Sequence, residues 1–184
     1  IEEVPRVARR DLQVELALLE ESAGQLDRAE ALYRNVINIA RGWLPATYGL
    51  GTLLDRQGRW RELAAFVDDE LMSTGGQEGR ELSLIGRLAE IYEHHLDQLD
   101  SAADLYERIL VHKPSAPDAI LGLIRIYERQ GRWNALVLLL ESLAKVYTTD
   151  RSRAVVLYKA GEIAEFRMSD LEMAIPLYRS AGAS

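Results

Sequence analysis

Asp55-Arg56-Gln57-Gly58-Arg59-Trp60 returns as Glu128-Arg129-Gln130-Gly131-Arg132-Trp133, with five of six positions identical and the sixth keeping its charge. Self-similarity at a fixed long period is the mark of stacked supersecondary units, so this hexapeptide decides the kind of fold. A second element interleaves with it. Leu26-Asp27 with Ala29 and Leu32-Tyr33 returns at the same offset as Leu99-Asp100 with Ala102 and Leu105-Tyr106. It returns once more, one residue short of that offset, as Leu171 with Ala174 and Leu177-Tyr178. Two alternating units of roughly 35 to 37 residues therefore fill the chain, and five of them fit.

Inside each unit the apolar residues fall at helical spacing, as in Leu12, Leu16 and Leu19, or Leu121, Ile124 and Tyr127, and strand-like alternation is sustained nowhere. Ser115 with Pro117 predicts one helix start. Ser169 followed three residues later by Glu172 has the form of a capping box. Gly24, Gly58 and Gly131 fall between paired helices, where a positive φ is useful. Each unit reads as a helical hairpin. Pro176 falls inside the last predicted helix, where a missing N–H costs on the order of 3 kcal/mol unless a kink absorbs it.

These residues resemble the tetratricopeptide repeat, whose pattern sets a small residue in the first helix, a large one three on, and after the turn Ala followed by Tyr or Phe. Ala89 with Tyr92, Ala102 with Tyr106, and Pro114 match it; so do Ala17, Ala29 and Tyr33, and Leu50-Gly51 with Leu54 and Gly58. Leu63 and Leu136 depart from it, standing where the family prefers Ala. The resemblance covers nearly the whole chain. It implies an all-α α-solenoid of about five antiparallel helix hairpins stacked in a right-handed superhelix, one repeat domain over 1–184 with units near 6–43, 44–79, 80–115, 116–149 and 150–184. It makes Tyr33, Tyr106, Tyr178, Trp60 and Trp133 packing residues, and it puts first helices on the concave side. The family's concave positions then select Tyr48, Thr52 and Arg56, next Arg87, Glu90 and His94, then Arg125 and Arg129, and last Tyr158 and Glu162 as the partner-binding face. Tyr and Arg are enriched at binding hot spots.

The expected function is a protein-interaction scaffold or adaptor that binds a protein or peptide on that face, as one segment of a larger repeat protein. Homo-oligomeric assembly through exposed terminal helices is the alternative, and a regulatory repeat domain of an enzyme ranks below both. Ile1 in place of Met, and Ala183-Ser184 with no polar capping helix beyond, fit a segment of a longer chain. The long alternating period resembles large bacterial repeat proteins.

Composition narrows the alternatives. With 48% hydrophobic and 28% charged residues the chain holds enough apolar material for a core. A net charge of −7 with interleaved signs lacks the basic stripe that phosphate binding needs, which argues against nucleic acid, RNA included. There is no cysteine, hence no disulfide or thiolate chemistry, and cytoplasm and periplasm both stay open, the cytoplasm first. The apolar run near Leu136–Leu140 is far too short for a membrane span. His94 and His95 are adjacent and so cannot share a helix face, and His112 stands apart, so no metal or catalytic cluster is expected and no cofactor. Asp68-Asp69 and Glu20-Glu21 read as solvated faces. Asn35, Asn38 and Asn134 all fall in second helices, which disfavours a clamp for a chaperone's C-terminal carboxylate.

Overall fold

Residues 6–183 are described by the computed structural model, and they form ten α-helices with no strand among the described residues. In chain order these are α1 (Arg6–Ser22), α2 (Leu26–Ile39), α3 (Leu44–Arg56), α4 (Trp60–Met72), α5 (Glu78–His94), α6 (Leu99–His112), α7 (Pro117–Gln130), α8 (Trp133–Val146), α9 (Asp150–Phe166) and α10 (Leu171–Gly182). The all-α, paired-helix reading holds. Contacts divide the chain after Leu96 into two compact units, one carrying α1 to α5 and the other α6 to α10. In each unit every helix packs on the next, and in the first α1 also touches α3.

The recurring hexapeptide forms a turn. Gly131 adopts the left-handed conformation at φ 66° and ψ 25°, and Gly58 matches it at φ 67°. A Cβ is costly there, which is why glycine recurs. The next N–H, of Arg132, closes back on the Tyr127 carbonyl at 2.8 Å, and that of Arg59 on Leu54 at 3.0 Å. The tryptophan then starts the second helix and is half-buried. His95, the C-cap of α5, stacks on Trp60 with ring centroids 3.6 Å apart, and Arg167, the C-cap of α9, lies 5.2 Å from the Trp133 ring. Both tryptophans thus hold the end of the following first helix, the packing role expected of them.

α2 meets α3, and α6 meets α7, through a tyrosine. Tyr33 and Tyr106 are buried to 0% and 2% exposure. A Cβ built on Gly49 would fall 2.4 Å from the Tyr33 ring, and one on Gly122 would fall 2.4 Å from the Tyr106 ring. No real side chain tolerates that distance, so α3 and α7 approach α2 and α6 this closely only because those positions are glycine. The Tyr33 hydroxyl donates to Glu21 Oε2 at 3.2 Å, and that of Tyr178 to Glu165 Oε2 at 2.8 Å. Burial, then the adjoining carboxylate, pushes the Tyr33 hydroxyl up to about 12, so it remains a proton donor throughout the neutral range.

Arg59, the N-cap of α4, ties three elements together. Its guanidinium donates to Glu30 of α2 and Glu62 of its own helix, and to Gln57 at 2.9 Å. Glu30 is held below the usual carboxylate range chiefly by the Arg59 hydrogen bond, against partial burial.

Several local expectations change. Leu12, Leu16 and Leu19 are 56%, 45% and 65% exposed, whereas Val14 and Ala17 on the same helix are buried. Leu121 is likewise exposed, and Leu123 and Ile126 take the core of α7. A helix in a stack is contacted on more than one side, so periodicity alone does not choose the buried stripe. Ser169 is not the cap of α10: it has φ 56°, and Asp170 caps the helix by accepting from the Met173 N–H at 2.9 Å. Ala116 rather than Ser115 is the N-cap of α7, with Pro117 at its first position. α10 runs continuously through Pro176.

The tyrosine–glycine contact and the Arg59 network can each be tested by substitution. Gly122→Ala gains helix propensity worth about 1 kcal/mol but drives a methyl into the Tyr106 ring, an overpacking cost of about 1–3 kcal/mol, so the chemical-denaturation midpoint should fall. Gly79→Ala, at a helical position where a Cβ meets nothing within 4 Å, should raise it; equal and positive shifts in both variants would refute the close-approach account. Because the folded Glu30 pKa lies below its unfolded value, its contribution is complete above the unfolded pKa and is lost as pH falls through the folded one. Arg59→Met should therefore lower stability by on the order of 1 kcal/mol at pH 7, discounted for solvent. That gap should narrow below about pH 4 in thermal scans; a pH-independent gap would remove the ion network from the account.

Candidate partner-binding face

First helices carry one solvent-facing row each. On α3, Tyr48, Thr52 and Arg56 follow at four-residue intervals and so lie along one side. The large apolar neighbours on α3, Leu50, Leu53 and Leu54, are at most 1% exposed and fix the helix from behind. Tyr48 projects with 72% exposure. Arg56 is committed, its Nη1 lying 2.6 Å from Glu21 Oε1 on α1. On α5, Glu90 and His94 share a side, and His94 Nε2 lies 3.6 Å from the carboxylate of Glu93.

Of the six residues expected in the first unit, two are brought into one groove. Tyr48 and Arg87 line a hollow of about 510 Å³ with Leu44, Ser83 and Leu84, built from α3, α4 and α5. Thr52, Arg56, Glu90 and His94 lie outside it. Part of its lining is an ion pair in which Arg80 Nη2 meets Glu70 Oε2 at 2.6 Å. Glu70 is only 6% exposed, and a carboxylate so buried persists as a charge only when paired this closely. Arg87 differs from Arg80. Its guanidinium rests over Gly51, with a nitrogen 3.1 Å from where a Cβ would stand, and no carboxylate pairs with it among the described residues. The groove thus combines an apolar wall, an exposed phenol and a cation with no internal counter-charge.

In the second unit the expected residues do not converge on such a groove. Arg129 pairs with Asp97 at 2.8 Å, and Arg125 is exposed one turn earlier on α7. Glu162 meets Lys159 at 3.7 Å. Tyr158 leans on Tyr178, ring centroids 5.3 Å apart, and lines a separate hollow with Val155, Phe166 and Tyr178.

Leu44, Ser83, Leu84 and the Glu70–Arg80 pair escaped the sequence reading. So did Phe166, 71% exposed, although it continues the four-residue row of Tyr158 and Glu162 and so was within reach of that pattern. The Glu70–Arg80 pair had no such signal, since charges are scattered over every helix. No three His, Cys, Asp or Glu side chains are grouped to hold a metal among the described residues, and no described helix is long and apolar enough to cross a membrane.

No family model matches the chain. Cellulose synthase operon protein C of Pseudomonas fluorescens (strain SBW25) is 26% identical over 156 residues, and the match spans 82% of this chain but only 12% of that protein's length. Among solved structures, MamA AMB-1 superposes with a TM-score of 0.59 at 15% identity, covering 95% of this chain and 91% of its own. A tetratricopeptide repeat protein from Parabacteroides merdae gives 0.58 at 16% identity, covering 95% and 71%. YrrB, described as a TPR protein with an unusual peptide-binding site, gives 0.54 at 18% identity, covering 92% and 82%. The repeat motifs, the ten-helix architecture and these superpositions agree: the chain has the tetratricopeptide-repeat fold.

Proposed function

We propose that this chain is a protein-interaction scaffold, and that its first-helix face, the concave side implied by the repeat resemblance, takes a peptide segment of a partner protein. The observation that carries this reading is the unpaired Arg87 beside the exposed Tyr48 in an apolar-walled groove. A guanidinium with no internal counter-charge favours an incoming carboxylate, and it recognises one through two parallel hydrogen bonds. Leu44, Leu84 and Tyr48 offer apolar area to the residues beside that acid. The segment recognised is therefore acidic with an adjoining large apolar residue.

The peptide-binding site named for YrrB supports the choice of ligand class. The likeness to a cellulose synthase operon protein makes the products of such an operon the first partners to try. Catalysis is not part of this reading.

The test is a photo-crosslinking amino acid at position 48, in the chain expressed in its native host, with a control at Met72, which is 79% exposed on the second helix of the same hairpin. Position 48 should yield a defined crosslinked partner and position 72 should not. Arg87→Glu should reduce the yield about tenfold or more, the equivalent of about 1.4 kcal/mol, with unchanged helicity by circular dichroism. Equal yields at both positions, or no effect of the charge reversal, would place the partner elsewhere.

A further inference from the structure

The two kinds of hairpin alternate, and they are keyed to each other. Hairpins of the first kind carry tyrosine on their second helix, at Tyr33, Tyr106 and Tyr178. Hairpins of the second kind carry glycine on their first helix, at Gly49 and Gly122, and the two glycines follow the tyrosines they accommodate at one and the same offset. Further along the same helices each has arginine, Arg56 and Arg129, again at a common offset. Arg56 reaches Glu21, the same carboxylate that accepts the Tyr33 hydroxyl. The tyrosine–glycine contact is thus one repeated lock, whereas the arginine that follows differs in partner, Glu21 for Arg56 and Asp97 for Arg129.

The last hairpin displays its half of that lock. Glu165 accepts the Tyr178 hydroxyl at 2.8 Å as Glu21 accepts that of Tyr33. Yet Tyr178 is only half-buried, where Tyr33 and Tyr106 are wholly covered. Around it lies an open hollow of about 790 Å³ lined by Val155, Tyr158, Phe166 and Ala181. Val155, Tyr158 and Phe166 are 63%, 55% and 71% exposed. With Gly161 aligned on Ala17 and Tyr178 on Tyr33, Tyr158 and Ala181 of this hollow stand where Val14 and Val36 stand in the first hairpin, and both valines are buried.

We infer that the open face of α9 and α10 is a docking surface for a further hairpin of the second kind on the same polypeptide, with a glycine following Tyr178 at the offset at which Gly49 follows Tyr33 and Gly122 follows Tyr106. A second copy of the chain stacked head to tail does not fit. It would offer α1, which in the same register has Glu15 where α3 has Gly49, and Ser22 where α3 has Arg56. Glu15 would carry its side chain into the Tyr178 ring. The other first helices of the first kind fail likewise, α5 with Arg87 and α9 with Lys159 at the glycine position.

The experiment appends a copy of residues 113–149 directly after Ser184, which sets the copied Gly122 and Arg129 as far beyond Tyr178 as the originals stand beyond Tyr106. Hydroxyl-radical footprinting then reads the exposure of Tyr158, Phe166 and Tyr178 in the unextended chain, the extended chain, and the extended chain with Gly122→Glu in the appended copy. The expected result is a several-fold fall in modification of Phe166 and Tyr178 for the glycine form, with little or no fall for the glutamate form. Equal protection in both extended forms overturns the key, and no protection in either overturns the docking. Protection in the unextended chain, accompanied by a dimer in sedimentation, would show the face covered by a second copy instead. None of these readouts involves Tyr48 or Arg87, so the outcome is independent of the partner-binding reading.

Discussion

The contact on which the rest depends is the one between a buried tyrosine ring and the bare backbone of a glycine. Tyr33 against Gly49 and Tyr106 against Gly122 bring helices together at a distance that excludes even a methyl group. Close approach has two consequences. It fixes the rotation of the first helix about its own axis, since the face that meets the ring must be the one that carries Gly49 on α3 or Gly122 on α7. It also fixes which residues that helix turns outward, so Tyr48, immediately before Gly49, is held in solvent by the same contact that buries Tyr33. The exposed row is thus a by-product of the core.

Charge is distributed in a way that follows from this geometry. Ion pairs gather where hairpins meet: Arg56 with Glu21, Arg59 with Glu30, Arg80 with Glu70 and Arg129 with Asp97 all join different helices or a helix and a turn. Each joins residues well separated in sequence, so each reports on the stacking and not on local helix stability. The more exposed of these pairs are worth little singly, and their effect is to disfavour other registers by leaving a charge unmatched, whereas the Arg80–Glu70 pair has a buried carboxylate. Arg87 makes no such pair and is set over Gly51 without a counter-charge among the described residues. The arginines paired at the joints hold the fold, whereas Arg87, in its groove, is available to a ligand.

The parts of this arrangement that repeat were legible in the sequence, and the parts that do not repeat were not. Gly58, Gly131, Trp60, Trp133 and the three tyrosines recur at fixed offsets, and recurrence reveals a structural requirement without any coordinates. Gly49 and Gly122 also recur, but they sit mid-helix, where glycine is ordinarily a weakness, and only the ring across the interface gives them meaning. Within α1 the pattern misled: Leu12, Leu16 and Leu19 have the right spacing for a core stripe and are exposed, whereas the smaller Val14 and Ala17 are buried. A small residue marks where another helix comes near, and size therefore predicts burial here better than hydrophobicity does. The groove was half legible. Tyr48 and Arg87 follow from repeat positions, but Glu70 with Arg80 is a single event with no echo elsewhere, and its burial depends on a fit between α4 and α5 that no periodicity encodes.

An alternating lock also bears on how such a stack keeps its order. If every hairpin carried both the tyrosine and the glycine, any hairpin could follow any other, and slipping by one unit would cost little. With two kinds, a slip by one unit sets tyrosine against Glu15, Arg87 or Lys159 and leaves glycine opposite Val67 or Leu140, the residues that occupy the tyrosine position on α4 and α8. The first mismatch is a steric clash. The second leaves an under-filled interface, because neither aliphatic side chain has the reach of the ring it replaces. Both errors weaken the wrong register while the right one is unaffected. Register is then set by pairs of neighbouring units and not by single ones. That accounts for identity being highest along the two-hairpin period, the one that carries Gly58-Arg59-Trp60 onto Gly131-Arg132-Trp133, rather than along half of it.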